Sequence, residues 1–231
     1  MDPKELMRLH VHALFTLDED GRLVTANDPT GAPAPRFFLG HTVHGDLWWF
    51  RHDVDTRLAG RLEALCRALP ASIDLEMDDT PLSAFTDCLS RESPVQRVWS
   101  GPAYVCPLGL GDEGGAIPIT PDNTGVLSPY LEEWRDDAAA GVPMAGAVHE
   151  GVAVSICCSV RVTAVAHEAG VETHPDFRRR GHARRAVCRW SAMVRELGQV
   201  PLYSTSWKNA ASRALAGRLG LTLFGTDLHI T

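Results

Sequence analysis

The stretch Val171-Glu172-Thr173-His174-Pro175-Asp176-Phe177-Arg178-Arg179-Arg180-Gly181-His182-Ala183-Arg184-Arg185 decides how this chain is read. Upstream of it, Val165 to Thr173 has the composition of a strand. Downstream, Ala183 to Leu197 sets Ala186, Val187, Trp190, Val194 and Leu197 on one helical face, and Gly198 stops the helix. A strand therefore feeds a helix through a loop ending in arginines and small residues. A helix N-terminus presents unpaired N–H groups and the positive end of the macrodipole, which together attract phosphate oxygens. Gly181 lets the backbone approach an anion with no Cβ in the way, Ala183 is small enough to do the same, and the arginines add charge-assisted contacts. A solvated basic turn is the competing reading of Arg178 to Arg180. The chain has no G-x-x-x-x-G-K-S/T, and no G-x-G-x-x-G leads from a strand into a helix, which argues against the P-loop and dinucleotide-binding classes.

The surrounding pattern agrees with a mixed sheet. Met144 to Val148 and Val152 to Val162 read as strands joined at Glu150-Gly151. Pro201 to Ser206 is a further strand, Asn209 to Leu219 a helix, and Leu221 to Phe224 opens a last strand. This alternation after a hairpin implies an α/β domain. Leu127 to Ala140 reads as a helix anchored by Tyr130, Leu131 and Trp134. The stretch 71–126 is rich in Pro, Gly and Asp and is read as linker, apart from a candidate strand at Ala103 to Cys106; Gly109 to Pro121 is its weakest part for regular structure. Nearer the start, Ala13 to Leu17 and Arg22 to Ala26 flank a hairpin turn. Two aromatic strands follow (Arg36 to Leu39, Leu47 to Phe50), and Thr56 to Leu69 is a helix with Leu58, Leu62, Leu65 and Leu69 on one face. The expected division is an N-terminal, β-rich α+β extension over 1–117 and an α/β domain over 118–231.

Composition bounds the function. The 231 residues are 45% hydrophobic and 22% charged, ordinary for a globular protein, with no apolar run of membrane-spanning length and no secretory leader, so a cytoplasmic enzyme is expected. Net charge is −7, yet residues 161–218 carry +7 and the rest −14. A basic segment in an acidic chain suits a local polyanionic ligand better than a nucleic acid. Six cysteines form no disulfide or zinc spacing and read as reduced core residues, and the histidines lack partners for a metal.

Arg178-x-x-Gly181-x-Ala183 resembles the Q/R-x-x-G-x-G/A motif of the GNAT acyl-CoA N-acyltransferases. Tyr203-Ser204-Thr205-Ser206-Trp207-Lys208-Asn209-Ala210-Ala211-Ser212, followed by Leu215 and Leu219-Gly220-Leu221, looks like that superfamily's later strand, helix and terminal turn. The resemblance covers 118–231, and the first hundred residues look like an extension found in some bacterial members. It implies acetyl-CoA as acyl donor, a small-molecule or protein amine as acceptor, no metal, and allows a homodimer; a non-catalytic acyl-CoA-binding module is the alternative. By that resemblance Val171, Glu172 and Thr173 would pair with the pantetheine arm. Amides from Arg179 through Arg180, Gly181, His182 and Ala183 to Arg184 would hold the pyrophosphate, with Arg178 beside them. Asn209 would touch the pantetheine or cap its helix, with Ser212 as neighbour. Family members often carry the base about ten residues before the motif, which nominates Glu168, then Glu172, then His167. The family's tyrosine acid has Ala216 in its place here, which leaves Tyr203, Ser206 or water to protonate the leaving thiolate.

Overall fold

The computed structural model describes residues 1–70, 74–76, 80–111 and 114–231; parts of the stretch read as linker (71–73, 77–79 and 112–113) lie outside the described residues. In chain order the elements are α1 (Pro3–Leu14), β1 (Phe15–Leu17), β2 (Leu23–Ala26), β3 (Phe37–His41), β4 (Leu47–Phe50), α2 (Thr56–Arg67), α3 (Leu82–Ser90), β5 (Val98–Val105) and β6 (Ala116–Ile119). After two 3₁₀ segments, Pro121–Val126 and Pro129–Trp134, come α4 (Arg135–Ala139), β7 (Met144–His149), β8 (Val152–Val162) and β9 (Ala166–Thr173). A 3₁₀ turn at Pro175–Phe177 precedes α5 (His182–Glu196), β10 (Val200–Ser204), α6 (Ala210–Leu219) and β11 (Thr222–Ile230). Helices packed on a sheet of parallel and antiparallel pairs make this an α/β fold. No described helix is long and apolar enough to cross a membrane.

The chain divides into two compact units. The first comprises Met1–Tyr104, Ser204–Ala210 and Leu223–Thr231, and the second Val105–Tyr203 with Ala211–Thr222.

In the first unit the strands run β4-β3-β11-β5, with β3 antiparallel to both neighbours and buried along its whole length. Phe37, Leu39, Leu228 and Ile230 face α2 and α3, meeting Leu58, Leu62, Phe85 and Leu89 in one core, and Phe37 stacks on Phe85 at 5.1 Å. Helix α3 falls within the stretch read as linker. Its sequence carries no side-chain N-cap, so only the apolar spacing of Phe85, Cys88 and Leu89 marks it. The first strand of the N-terminal hairpin is also shorter than expected. Ala13 and Leu14 belong to α1, which Asp2 caps by accepting from the Lys4 amide, with Pro3 in the first turn.

That helix changes the account of the aromatic strands. Trp48 and Phe50 pack with the α2–α3 core, and Trp49 turns the other way to meet Phe38 edge-on at 5.7 Å. The first unit must cover both faces of this aromatic strand pair. It covers both, because α1 brings His10 to Phe38 and Phe15 follows directly behind it.

The second unit runs β10-β9-β8-β7-β6. Strand β6 lies within the segment judged weakest for regular structure, and its Pro118 explains both facts: proline cannot complete a ladder, so it is tolerated on this outermost strand. Helix α5 covers one face of the unit's strands. The opposite face meets Leu127, Leu131, Trp134 and Ala138 over Met144, Ile156 and Cys158. The continuous helix expected over 127–140 is instead a 3₁₀ segment followed by the short α4. Pro129 starts a new turn and Leu131, at φ −102°, leaves the helical region. All six cysteines are buried and free, and burial pushes the Cys66, Cys106 and Cys158 thiols up to about 12, as suits inert core residues.

Within the first unit, fully buried Asp227 on β11 accepts from His10 Nε2 of α1 at 3.1 Å and lies 3.3 Å from His229 Nε2. Burial pushes the Asp227 carboxyl up, but the charge and hydrogen bond of His10, with the hydrogen bond of His229, bring it below its ordinary value of 3.8. A carboxyl lowered in the folded state contributes stability that is present above the unfolded value and lost as pH falls through the folded one. Asp227→Asn is expected to lower the unfolding free energy at pH 7 by about 3 kcal/mol and to flatten its decline between pH 5 and pH 3. Denaturant titrations at each pH check this, and an unchanged acid limb counts against it.

Candidate active site

The second unit holds an opening built by two strands that stop pairing. Strands β9 and β10 are parallel neighbours at only three positions, Val200↔Ala166, Pro201↔His167 and Leu202↔Glu168. Beyond Glu168, β9 continues through five more residues to Thr173 while β10 no longer pairs with it. On its other edge β9 stays in register with β8, where the Glu172 carbonyl accepts from Ser155 Oγ at 3.0 Å and the His174 amide donates to Val154. Successive residues of a strand turn their main-chain groups to opposite edges. Glu172 is thus committed to β8, and Val171 and Thr173 turn theirs toward the gap. The Thr173 carbonyl accepts there from Arg178 Nε at 3.3 Å.

The loop after β9 is shaped for close approach. Arg179 has φ +59° and Gly181 φ +81°, with Arg180 between them. Such left-handed turns direct successive N–H groups to one side, the concavity in which anions bind. Gly181 is the N-cap of α5 and no side chain caps the helix. Arg178, Arg179 and Arg180 are exposed, and Arg180 lies over the Phe177 ring at 5.5 Å. Arg184 donates to the Arg218 carbonyl, away from the loop. Arg185 donates to Nδ1 of buried His182 at 2.8 Å, and its Nη1 lies 3.6 Å from where a Cβ on Gly181 would stand. Burial, then the charges of Arg185, His149 and Arg180, hold His182 below its ordinary value, so its ring is neutral and accepts.

The three acid–base candidates on β9 separate by face. His167 points toward α5, where its Nδ1 pairs with Ser159 Oγ, which also accepts from Trp190 Nε1 at 2.9 Å; burial lowers its pKa. Glu168, only 2% exposed, is the last β9 residue paired with β10 and stands opposite Arg161 in the β8 ladder. Glu172 shares its face but accepts from Trp134 Nε1 at 2.6 Å. Between the two carboxylates, Gly170 has no room for a side chain, since a Cβ there would come 2.2 Å from Val160 Cγ1 and 3.2 Å from the Trp134 ring.

Residues 135–226, which contain this opening and the loop, match the family described as GNAT acetyltransferase. This segment is similar to GNAT acetyltransferase domains. Among solved structures the chain is similar to a putative GNAT-family acetyltransferase from Novosphingobium aromaticivorans (19% identity, 59% of this chain and 65% of that one, TM-score 0.48). It is also similar to a GCN5-related N-acetyltransferase-like protein from Streptococcus suis (17% identity, 99% of each chain, TM-score 0.48). The first match spans less than two thirds of its relative's length. No curated protein matches this sequence.

Within the matched segment Tyr203 and Ser212 meet, with Tyr203 Oη and Ser212 Oγ at 2.6 Å. Asn209 lies on the 204–210 segment of the first unit, where its amide donates to the Ser206 carbonyl. Reading the sequence overlooked His149, which meets Phe177 at 5.1 Å, and Trp134 as a partner of Glu172. Gly170, a glycine inside a strand pattern, was the available signal for the second, since it marks close approach by another group. Gly170→Ala is expected to lower the unfolding free energy by about 1–3 kcal/mol through overpacking. Urea titration measures this, and a neutral result would show that Val160 and Trp134 yield without cost.

Proposed function

We propose that this protein transfers an acetyl group from acetyl-CoA to an amine of a small molecule or a protein, in the cytoplasm. The observation that carries the reading is the parting of β9 and β10 at Glu168, which leaves an open strand edge leading from a buried carboxylate to an uncapped helix N-terminus. The residues fit the cofactor. Amides around Gly181 and the first turn of α5, with Arg178 and Arg185 beside them, would hold the pyrophosphate, and the main-chain groups of Val171 and Thr173 would pair with the pantetheine arm. The thioester carried by acetyl-CoA then reaches the closed end of the gap.

There the amine lone pair forms the new C–N bond to the acetyl carbon, and the C–S bond breaks as CoA thiolate departs. An amine attacks only when neutral, so a proton must leave it. Glu168 is the candidate for that role, because it is buried at the closed end of the gap as the last β9 residue paired with β10. Tyr203, bonded to Ser212, is the candidate to return a proton to the thiolate.

Acetyl-CoA at about a hundred times its dissociation constant should add roughly 2.7 kcal/mol to stability, seen as a melting shift that ATP and NAD do not produce. Gly181→Val should remove the shift, because a branched residue at φ +81° is strained and projects toward the anion. Equal shifts with all three nucleotides would sink the assignment. Thiol release across a panel of amines separates turnover from simple acyl-CoA binding.

With an acceptor in hand, Glu168→Gln should lower kcat by about 10²–10⁴-fold near neutral pH with acetyl-CoA affinity nearly intact, and the loss should shrink at high pH where more amine is neutral. Unchanged turnover would remove Glu168 from the role.

A further inference from the structure

We propose that Trp134 sets the acyl-chain length this protein accepts, restricting the donor to short-chain acyl-CoA thioesters. This rests on the acyl-CoA reading and adds the class of donor. If the pyrophosphate lies at Gly181 and the arm follows the open edge of β9, the five residues from Thr173 back to Glu168 span about 17 Å at 3.3 Å per residue, which brings the thioester to the closed end of the gap. An acyl chain longer than acetyl must then find room beside Glu168. The adjoining position on the same face of β9, about 7 Å along the strand, is Gly170, and its space is taken. Val160 and the Trp134 ring both lie where a side chain at 170 would stand.

The indole is held there from several sides. Its Nε1–H donates to the Glu172 carboxylate at 2.6 Å, and its ring packs with Leu127, Leu131 and Ile156 in the core of that face. One turn earlier in the same segment, Tyr130 meets the His174 ring at 4.9 Å. Glu172 is therefore a positioning residue, because it fixes the ring that fills the space. The family resemblance nominates it as a second candidate base; here it acts instead by holding the indole.

The test is equilibrium binding of acetyl-CoA and octanoyl-CoA to the full chain by calorimetry, read as the ratio of the two affinities. The unmodified protein should favour acetyl-CoA by about tenfold or more. Trp134→Ala should move the ratio at least about tenfold toward octanoyl-CoA, and Trp134→Phe, which keeps a ring but loses the N–H that Glu172 holds, should move it only part of the way. Should the alanine variant fail to fold, Trp134→Leu removes most of the same volume and reads the same quantity. Glu172→Ala should shift the ratio part of the way, and Glu172→Gln, whose amide oxygen still accepts from the indole, should restore it. A ratio near one in the unmodified protein, or one left unmoved in a folded alanine or leucine variant, overturns the proposal. Failure of the unmodified protein to bind either thioester is a different result, since it overturns the acyl-CoA reading on which this rests.

Discussion

A strand edge that loses its neighbour leaves main-chain donors and acceptors to be satisfied some other way. That constraint governs the second unit. Strand β9 keeps its ladder with β8 throughout but pairs with β10 only as far as Glu168. The rest of its free edge is met partly from within the loop, where Arg178 folds back to the Thr173 carbonyl, and is otherwise offered to whatever enters the gap. The left-handed turns at Arg179 and Gly181, the uncapped start of α5 and the exposed arginines gather at the mouth of that gap.

The two faces of β9 differ in kind. Toward α5, His167 Nδ1, Ser159 and Trp190 form a hydrogen-bonded group under a helix. Toward the 129–139 segment, the strand presents two carboxylates separated by a glycine, with an indole laid across the glycine. A bulge in β8 between Ser159 and Arg161 adds to this, because it sets Val160 beside Gly170 and Arg161 opposite Glu168.

Much of this was legible in the sequence, for reasons that can be named. The strand–loop–helix unit announces itself because a left-handed position favours Gly and a helix begins at once behind it, and Gly181 meets both conditions. Strands β7 and β8 were visible because they are interior strands with nearly continuous apolar residues. The elements that escaped are those whose local signals conflict with their tertiary setting. Pro118 disguises an edge strand, and α3 lacks a cap and follows a Pro- and Asp-rich segment. Helix α1 was hidden by the apolar run Ala13 to Leu17, although Asp2-Pro3 is a sound helix start. The partnership of Trp134 with Glu172 joins residues 38 apart, and no local pattern encodes it.

The first unit draws its strand order from both ends of the chain. Strand β3, buried along its length, has β11 as one of its two neighbours, and His10 of the first helix reaches Asp227 across 217 residues. On a ribosome, roughly 120 residues separate the end of β5 from the start of β11. At about 5–20 residues per second, synthesis of that interval takes on the order of 6–24 seconds. Through that time β3 stands with one apolar edge unpaired, inviting association with other chains. The intervening residues 105–203 can settle into their own sheet before β11 arrives. Folding order therefore reverses chain order, and the half of the protein made first is the half completed last.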